Sequence, residues 1–246
     1  MLFTSSILIA ALACLVQAQS VTPSDFTPSA SNKLDVFFNT TMVMTPGQML
    51  SKAETASQPK IAVSSTMANS SATYMFVMLD LDVPPEAGST KRRVLLHAMN
   101  TGFKATQQKI SGSATLLASS EKGPAAYIPP GPPPTDTIPH RYVQLLFQQP
   151  ADLKVQASDF KETSARINFD INAFMTKNKV SAPMAGNFFM VDGRASSTAK
   201  GTASARGSGG LPTSTVQPFT GAAEKFGLSP GIAGLLGGVA LLAFQM

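Results

Sequence analysis

Residues 74–83 read YMFVMLDLDV, six apolar residues in a row followed by two aspartates on either side of one leucine. An apolar run of this length, bounded by polar residues, is typical of a strand that is buried on both faces. Similar runs follow at 94–99 (VLLHAM) and 142–147 (YVQLLF), and weaker ones occur at 35–38 and 58–63. Because prolines, glycines and serines bound these runs, we predict an all-β domain.

One stretch, residues 158–178, has helical character. Its apolar residues Phe160, Ile167, Ile171 and Phe174 are spaced by seven, four and three positions, which places them on one face of a helix. The other connections lack this pattern, and parallel strands need long crossovers that are usually helical. We therefore expect antiparallel strands with one or two short helices.

The first residues, 1–18, combine an apolar segment with small residues before a cleavage position, which is the pattern of a secretory signal peptide. We expect cleavage after Ala18, and the alternative is a buried first helix. Cys14 is the only cysteine in the chain and lies within this segment. The mature protein is therefore expected to have no disulfide and to depend on its core for stability.

The composition changes after a predicted domain at 19–194. Residues 195–221 are rich in Ser, Thr, Gly and Ala, which is typical of a disordered stalk. Residues 222–246 form a short spacer and an apolar tail, the pattern of a glycosylphosphatidylinositol (GPI) attachment propeptide. A retained membrane span is the competing interpretation of the tail. The expected attachment residue is Gly221, and the alternatives are Ser208 and Ser214.

The formal net charge is +5, but only 13% of the residues are charged and the basic ones are scattered. Because a nucleic-acid-binding surface concentrates basic charge on one face, we expect no nucleic acid partner. The one basic cluster, Lys91–Arg93, is interpreted as a solvated loop. Asn39 and Asn69 begin N-glycosylation sequons, which fit surface positions of an exported chain.

Polar residues interrupt or end the predicted strands. Asp80 and Asp82 follow the apolar run and, being two residues apart, project from one face of a strand. The alternative is a turn in which both accept backbone N–H groups. His97 and His140 are the only histidines, and each lies in or at the start of an apolar strand. One such histidine is usually a core residue, whereas two beside an aspartate pair favour convergence in one pocket.

The segment around His140 adds two features. Tyr142 shares a strand face with His140, whereas Arg141 points the other way and is expected to form a structural ion pair. The preceding segment, 127–139 (YIPPGPPPTDTIP), is rich in proline, which fixes φ and lacks an N–H donor. We expect this segment to form a stiff wall of a shallow pocket.

These motifs together resemble the phosphatidylethanolamine-binding protein (PEBP) family, and with the two processed ends the chain resembles its secreted, GPI-anchored fungal members. The resemblance covers roughly residues 36–191. Its most specific element is Pro-Pro-x5-His-Arg-Tyr. The segments that carry the resemblance are Asp80-Leu81-Asp82-Val83-Pro84, His97, Pro132-Pro133-Pro134, His140-Arg141-Tyr142 and Arg166-Ile167-Asn168-Phe169-Asp170.

The resemblance implies a PEBP-like antiparallel β-sandwich with a small pocket at one end that accepts phosphate or a phospholipid head group. Histidine and tyrosine can donate hydrogen bonds to phosphate oxygens, and aspartates can orient imidazoles or meet an ammonium group. We expect no cofactor and no metal. Carried over by motif position, the pocket residues are Asp80, Asp82, His97, Pro133, Pro134, His140 and Tyr142.

Three positions depart from the usual pattern of that family. Leu81 stands where proline is common, and Ala98 stands where an aromatic residue is common, so that the pocket wall is expected to open or change shape. Asp136 stands where glycine is common and adds negative charge near an anion site. These departures favour weak phosphate binding or a different ligand.

The expected function is that of an extracellular, membrane-tethered protein that binds an anionic or phospholipid head group. Its expected location is the extracellular face of the cell membrane, where GPI holds it in the outer leaflet, or the cell wall. The alternatives are a serine carboxypeptidase inhibitor and a cell-surface structural protein with an unused pocket. Catalysis is not expected, because the mature sequence has no Gly-x-Ser-x-Gly motif, no cysteine and no metal-ligand set.

Overall fold

The computed structural model describes residues 20–110 and 112–195 of the chain. The predicted ends therefore stay predictions, and nothing below concerns their structure. Within the two described ranges, no helix has both the length and the apolar character needed to cross a membrane. Outside them lie the predicted signal peptide (1–18), the predicted stalk after its first residue (196–221, with Gly221) and the predicted GPI propeptide (222–246).

The described part of the chain is built mostly from strands, which confirms the predicted all-β class. All of the predicted strands are present, as β1, β4, β5, β6 and β8, whereas β7 and β9 were not predicted because their apolar residues are mixed with small ones. The strands are β1 (Asp35–Phe38), β2 (Thr41–Met42), β3 (Gln48–Met49), β4 (Lys60–Ser64), β5 (Tyr74–Val83), β6 (Arg93–Ile110), β7 (Ala114–Ala118), β8 (His140–Gln148) and β9 (Ala185–Val191).

The strands form one nine-stranded sheet in the order β2-β1-β4-β7-β6-β5-β8-β9-β3. Neighbours pair antiparallel except β3 and β9, which pair parallel. The 18-residue β6 connects the two parts of the sheet on either side of it, because it pairs with β5 and, beyond Phe103, with β7. The sheet curls on itself, so that Phe38 of β1 meets Phe189 of β9 with ring centroids 5.2 Å apart.

β5 lies between two cores, as its unbroken apolar run predicts. Tyr74, Phe76 and Met78 pack into a first core inside the curled sheet. The alternate residues of β5 pack into a second core on the outer face, together with Phe160, Ile171 and other residues of the segment after β8. Because side chains alternate along a strand, both faces of β5 are buried.

The helical prediction for residues 158–178 was wrong in extent. The segment forms two 3-10 turns and one short helix, α1 (Ile171–Lys177), which begins where Asp170 accepts hydrogen bonds from the next backbone N–H groups. Ile167 is only half-buried and forms a β-bridge to Leu95 rather than lying on a helix face. Asn168 follows with a φ of 57°, which ends any helical path at that residue.

Candidate functional site

The candidate site lies where β5 ends beside β8 and β6. Asp80 pairs with Tyr142 of β8, a residue of the first core, and lies two residues beyond Met78, the last residue of β5 in that core. Leu81 packs against the second core, so Asp80 and Asp82 face the opposite side of the strand together, as their spacing predicts. The sheet therefore carries the two carboxylates toward the end of the first core.

His97 lies in a β-bulge of β6, on the same face of the sheet as these carboxylates. Met78 pairs with Ala98 and Leu79 pairs with Leu96, so His97 is the extra residue of β6 and has no partner of its own. Bulges re-aim side chains and are common at functional sites. The bulge gives His97 and Ala98 neighbouring places on the inner side, where Ala98 belongs to the first core.

His97 is held through only one of its ring nitrogens. Its Nδ1 lies 2.7 Å from the Ile128 carbonyl oxygen, so the Nδ1–H donates to that carbonyl. Its Nε2 lies 3.8 Å from Asp80 Oδ2 and has no hydrogen-bond partner within the described part of the chain. Burial lowers the pKa of His97. The ring is therefore neutral near pH 7 and presents a bare nitrogen to the site.

His140 bridges two carboxylates. Its Nδ1 lies 2.8 Å from Asp80 Oδ2, and its Nε2 lies 2.9 Å from Asp136 Oδ2. Burial opposes the charged ring, but the hydrogen bonds and charges of Asp80 and Asp136 outweigh burial and raise the pKa of His140 above 6.5. The arrangement favours an imidazolium, because only the charged ring can donate from both nitrogens.

Asp136 is also clamped by Arg92. Arg92 Nη1 and Nη2 donate to the two carboxylate oxygens at 2.6 and 2.7 Å, and Nη1 also donates to the carbonyl of Asp82. The Arg92 hydrogen bonds, and after them the one from His140, hold the pKa of Asp136 well below its usual range although burial opposes this. Asp136 is therefore ionised, and because it is only 7% exposed it lies inside the site.

Asp82 holds a structural ion pair with Arg141. The backbone N–H, Nε and Nη2 of Arg141 all donate to its carboxylate at 2.9 Å. Arg141 Nη1 also donates to both oxygens of Asp25, at 2.7 and 2.8 Å. The ion pair predicted for Arg141 is confirmed. In this structure Asp82 is engaged by Arg141, and its assignment as a ligand-binding residue stays a prediction.

Tyr142 and the two predicted prolines lie at different depths. The ring of Tyr142 stacks on Phe189, and its buried hydroxyl lies near Asp80 and the Gly131 backbone but forms no hydrogen bond of normal geometry with the described residues. Burial raises the pKa of that hydroxyl, which therefore stays protonated as a donor. Pro133 is half-buried and its carbonyl accepts from the Asp136 N–H, whereas the ring of Pro134 is exposed. The structure thus gathers the polar residues and leaves Pro134 at the rim.

The site is closed, and two of the sequence expectations need correction. Asp80, His97 and His140 are each at most 3% exposed. The pocket wall does not open at Ala98, because that residue is itself fully buried in the first core, and the alternative of a wall of changed shape stays a prediction. The solvated loop expected for the basic cluster is wrong for Arg92, whose guanidinium reaches inward to Asp136.

The role of Arg92 was missed by sequence reasoning. Its partner Asp136 lies 44 residues away along the chain, and no periodic pattern connects positions so far apart. The only signal in the sequence was that it contains both an acidic residue near the predicted site, Asp136, and a basic cluster, Lys91–Arg93. Charge pairing of that kind cannot be assigned before the loops are placed.

His140 is expected to make the stability of the fold depend on pH. Because its folded-state pKa is raised above 6.5, its stabilising contribution is complete below that pH and is lost as pH rises through the raised pKa. We expect the free energy of unfolding of the wild type, relative to His140→Asn, to fall as pH rises from about 6 to 9. His97 has the opposite dependence and is present in both proteins; because the charge of His140 also lowers the pKa of His97, part of that dependence changes in His140→Asn and is included in the measured difference. Urea denaturation measures the difference, and a constant difference would contradict the imidazolium assignment.

Comparison with known proteins identifies relatives of the whole domain. The family model of phosphatidylethanolamine-binding protein matches residues 40–189. Phomoidride biosynthesis cluster protein N of Talaromyces stipitatus is 33% identical over 199 residues, which cover 75% of this chain and 96% of that protein. A 26 kDa secreted antigen of Toxocara canis is 28% identical over 179 residues, covering 72% of this chain and 62% of the antigen.

A solved structure shares the fold. It is that of carboxypeptidase Y inhibitor complexed with its cognate proteinase, and it aligns with a TM-score of 0.51 and 21% identity. The alignment covers 67% of this chain and 84% of the matched one. At this level of identity the match concerns the arrangement of strands.

Proposed function

This chain belongs to the phosphatidylethanolamine-binding protein family, and from that premise we propose that it binds an anionic or phospholipid head group. The observation that carries the proposal is a pair of buried polar atoms without partners among the described residues, His97 Nε2 and Tyr142 Oη. Leaving such atoms unpaired costs free energy, so a ligand that satisfies them gains affinity. The proposal assigns no catalytic role and no cofactor.

The chemistry around these two atoms fits a phosphorylated head group. The Tyr142 hydroxyl and the His140 imidazolium donate hydrogen bonds to acidic oxygens, and charge-assisted bonds of this kind are the stronger ones. The carboxylate of Asp80 and the bare Nε2 of His97 are acceptors, and such groups suit an ammonium group. The site therefore offers donors for phosphate oxygens and acceptors for a cation.

The proposed location is the outer face of the cell membrane, with a GPI anchor at Gly221. Both sequon asparagines, Asn39 and Asn69, are exposed in turns, where a glycosyltransferase can reach them, and one relative is described as a secreted antigen. A phosphatidylinositol-specific phospholipase should release the protein from intact cells. Retention of the protein after that treatment would refute the anchor.

Replacing His140 with alanine is expected to weaken the binding of glycerophosphoethanolamine, because the replacement deletes a charged donor. A charge-assisted hydrogen bond contributes roughly 1.5–3 kcal/mol, or at least about tenfold in affinity. Isothermal titration calorimetry measures the change, and circular dichroism checks that the variant is folded. Lys91→Ala is the control, because Lys91 is an exposed cation near the site. Unchanged titration of His140→Ala would refute the proposed pocket.

A second candidate is inhibition of a serine carboxypeptidase. The observation in its favour is the shared fold with carboxypeptidase Y inhibitor. The chemistry of the candidate site does not bear on it, because an inhibitor needs a surface segment that enters the peptidase. Inhibition of carboxypeptidase Y by the purified protein tests this candidate, and no inhibition at micromolar protein would remove it.

A further inference from the structure

Asp136 already occupies the donors that the proposed ligand would use. Its carboxylate receives two hydrogen bonds from Arg92 and one from His140, all between 2.6 and 2.9 Å. A fork of two parallel N–H groups with a third charged donor is the geometry in which proteins hold phosphate or carboxylate oxygens. The side chain of Asp136 therefore stands where an oxyanion from solution would be bound.

We propose that Asp136 is a displaceable internal ligand, and that an external oxyanion enters by taking its place on Arg92 and His140. This inference rests on the proposed function and extends it in two ways. It adds Arg92 to the binding residues, and it explains how a closed site admits a ligand. The chemical class is a phosphate monoester, a phosphodiester or free phosphate, since each carries acceptor oxygens that match the three donors.

The donors are fixed, whereas Asp136 is on a segment that can move. His140 is the first residue of β8 and is 1% exposed, with its Nδ1 held by Asp80. The neighbours of Asp136 in the loop point outward, since Thr135 and Thr137 are exposed and Ile138 is 40% exposed. Turning Asp136 out to solvent therefore needs no apolar residue to leave either core.

Asp136 also makes two contacts with residues of its own loop. The Asp136 N–H donates to the Pro133 carbonyl at 3.1 Å, and the Ile138 N–H reaches Asp136 Oδ1 at 3.4 Å. Once released, the carboxylate of Asp136 is hydrated. Arg92 keeps its hydrogen bond to the Asp82 carbonyl and stays directed at the site.

The closed form lowers the apparent affinity for any oxyanion. The apparent affinity equals the affinity of the open form multiplied by the fraction of molecules that are open. A site that is open in about 1–10% of molecules therefore binds about tenfold to a hundredfold more weakly than a permanently open one. Removing the carboxylate of Asp136 should therefore raise the apparent affinity for an oxyanion by the same factor.

The test compares the wild type with Asp136→Ala and Asp136→Asn by isothermal titration calorimetry. We expect Asp136→Ala to bind inorganic phosphate about tenfold to a hundredfold more tightly than the wild type, and Asp136→Asn to lie between them. Asp152→Ala is the matched control, because it removes the same charge from an exposed position. A parallel arm with phosphatidylethanolamine vesicles separates free phosphate from a lipid head group as the source of the oxyanion.

Each outcome decides between the inference and the proposed function. Equal phosphate affinity in the wild type and Asp136→Ala overturns the internal ligand and leaves the proposed function standing. Weaker phosphate binding by Asp136→Ala would mean that Asp136 contacts the ligand directly, and this result also overturns the inference of an internal ligand. If neither the wild type nor any variant binds phosphate or the vesicles, the proposed function is wrong, and the inference that rests on it is wrong with it. A readout without ligand is the His140 titration in NMR spectra, where an unchanged His140 pKa in Asp136→Ala would show that the contact is absent.

Discussion

Replacing Arg141 with methionine is expected to lower the free energy of unfolding by about 3–5 kcal/mol. The guanidinium supplies Asp82 with two of its three hydrogen bonds, and the side chain of Asp82 is only 4% exposed. Methionine fills a similar volume but leaves this carboxylate buried without its counter-ion. The cost of an unpaired buried charge then exceeds the cost of losing a surface ion pair. Urea denaturation at pH 7 measures the change.

Another Arg–Asp pair provides the control. Arg194 and Asp192 form an ion pair of similar length, but the Arg194 side chain is 51% exposed. Arg194→Met should leave the free energy of unfolding almost unchanged, because water replaces the lost partner. Adding Asp82→Asn to Arg141→Met should recover part of the loss, since the uncompensated charge is then gone. If the double variant is no more stable than the single one, the loss comes from packing and not from the charge of Asp82.

Replacing Phe76 with alanine is also expected to cost about 3–5 kcal/mol of unfolding free energy. Phe76 is 1% exposed and belongs to the first core. Its backbone pairs with β6 on one side and β8 on the other, so the strand cannot move inward to fill the cavity. Lost transfer free energy and an unfilled cavity therefore add together. Urea denaturation gives the value.

Met44 offers a matched exposed position for comparison. Its side chain is 63% exposed, so Met44→Ala should change the free energy of unfolding by less than about 0.5 kcal/mol. A loss below about 1 kcal/mol for Phe76→Ala would mean that the curled sheet collapses onto the vacated space. Such a result would contradict the rigid central position of β5.

The strands that form the site were accessible from the sequence because local patterns determine them. The apolar run at Tyr74–Leu79 predicts a strand buried on both faces, and β5 is such a strand. Alternation then places Asp80 and Asp82 on one face without any knowledge of the fold. The family resemblance, carried by the motifs around His97 and His140, is confirmed by the family match over residues 40–189.

The convergence of these residues depends on less local features. Leu95 pairs with Asp80, and alternation then places His97 on the same face of the sheet as Asp80. That pairing register cannot be read from the sequence. The bulge opposite Met78 and Leu79, which leaves His97 unpaired, is likewise not marked by the residues of VLLHAM.

The sequence by itself determined the β class, the central strands, the family and the residue types at the end of the sheet, because each follows from local periodicity or a short motif. Only the tertiary structure decided that Asp136 lies on His140 and Arg92, and that the site is closed. Asp136 lies in the proline-rich loop just before β8, whereas Arg92 lies 44 residues away in the chain, directly before β6, so their meeting depends on how β6 and β8 are placed in the sheet. The sequence predicted an anion site at this end of the sheet, and that site stays a prediction, whereas the hydrogen bonds of Asp136 to Arg92 and His140 could be seen only in the tertiary structure.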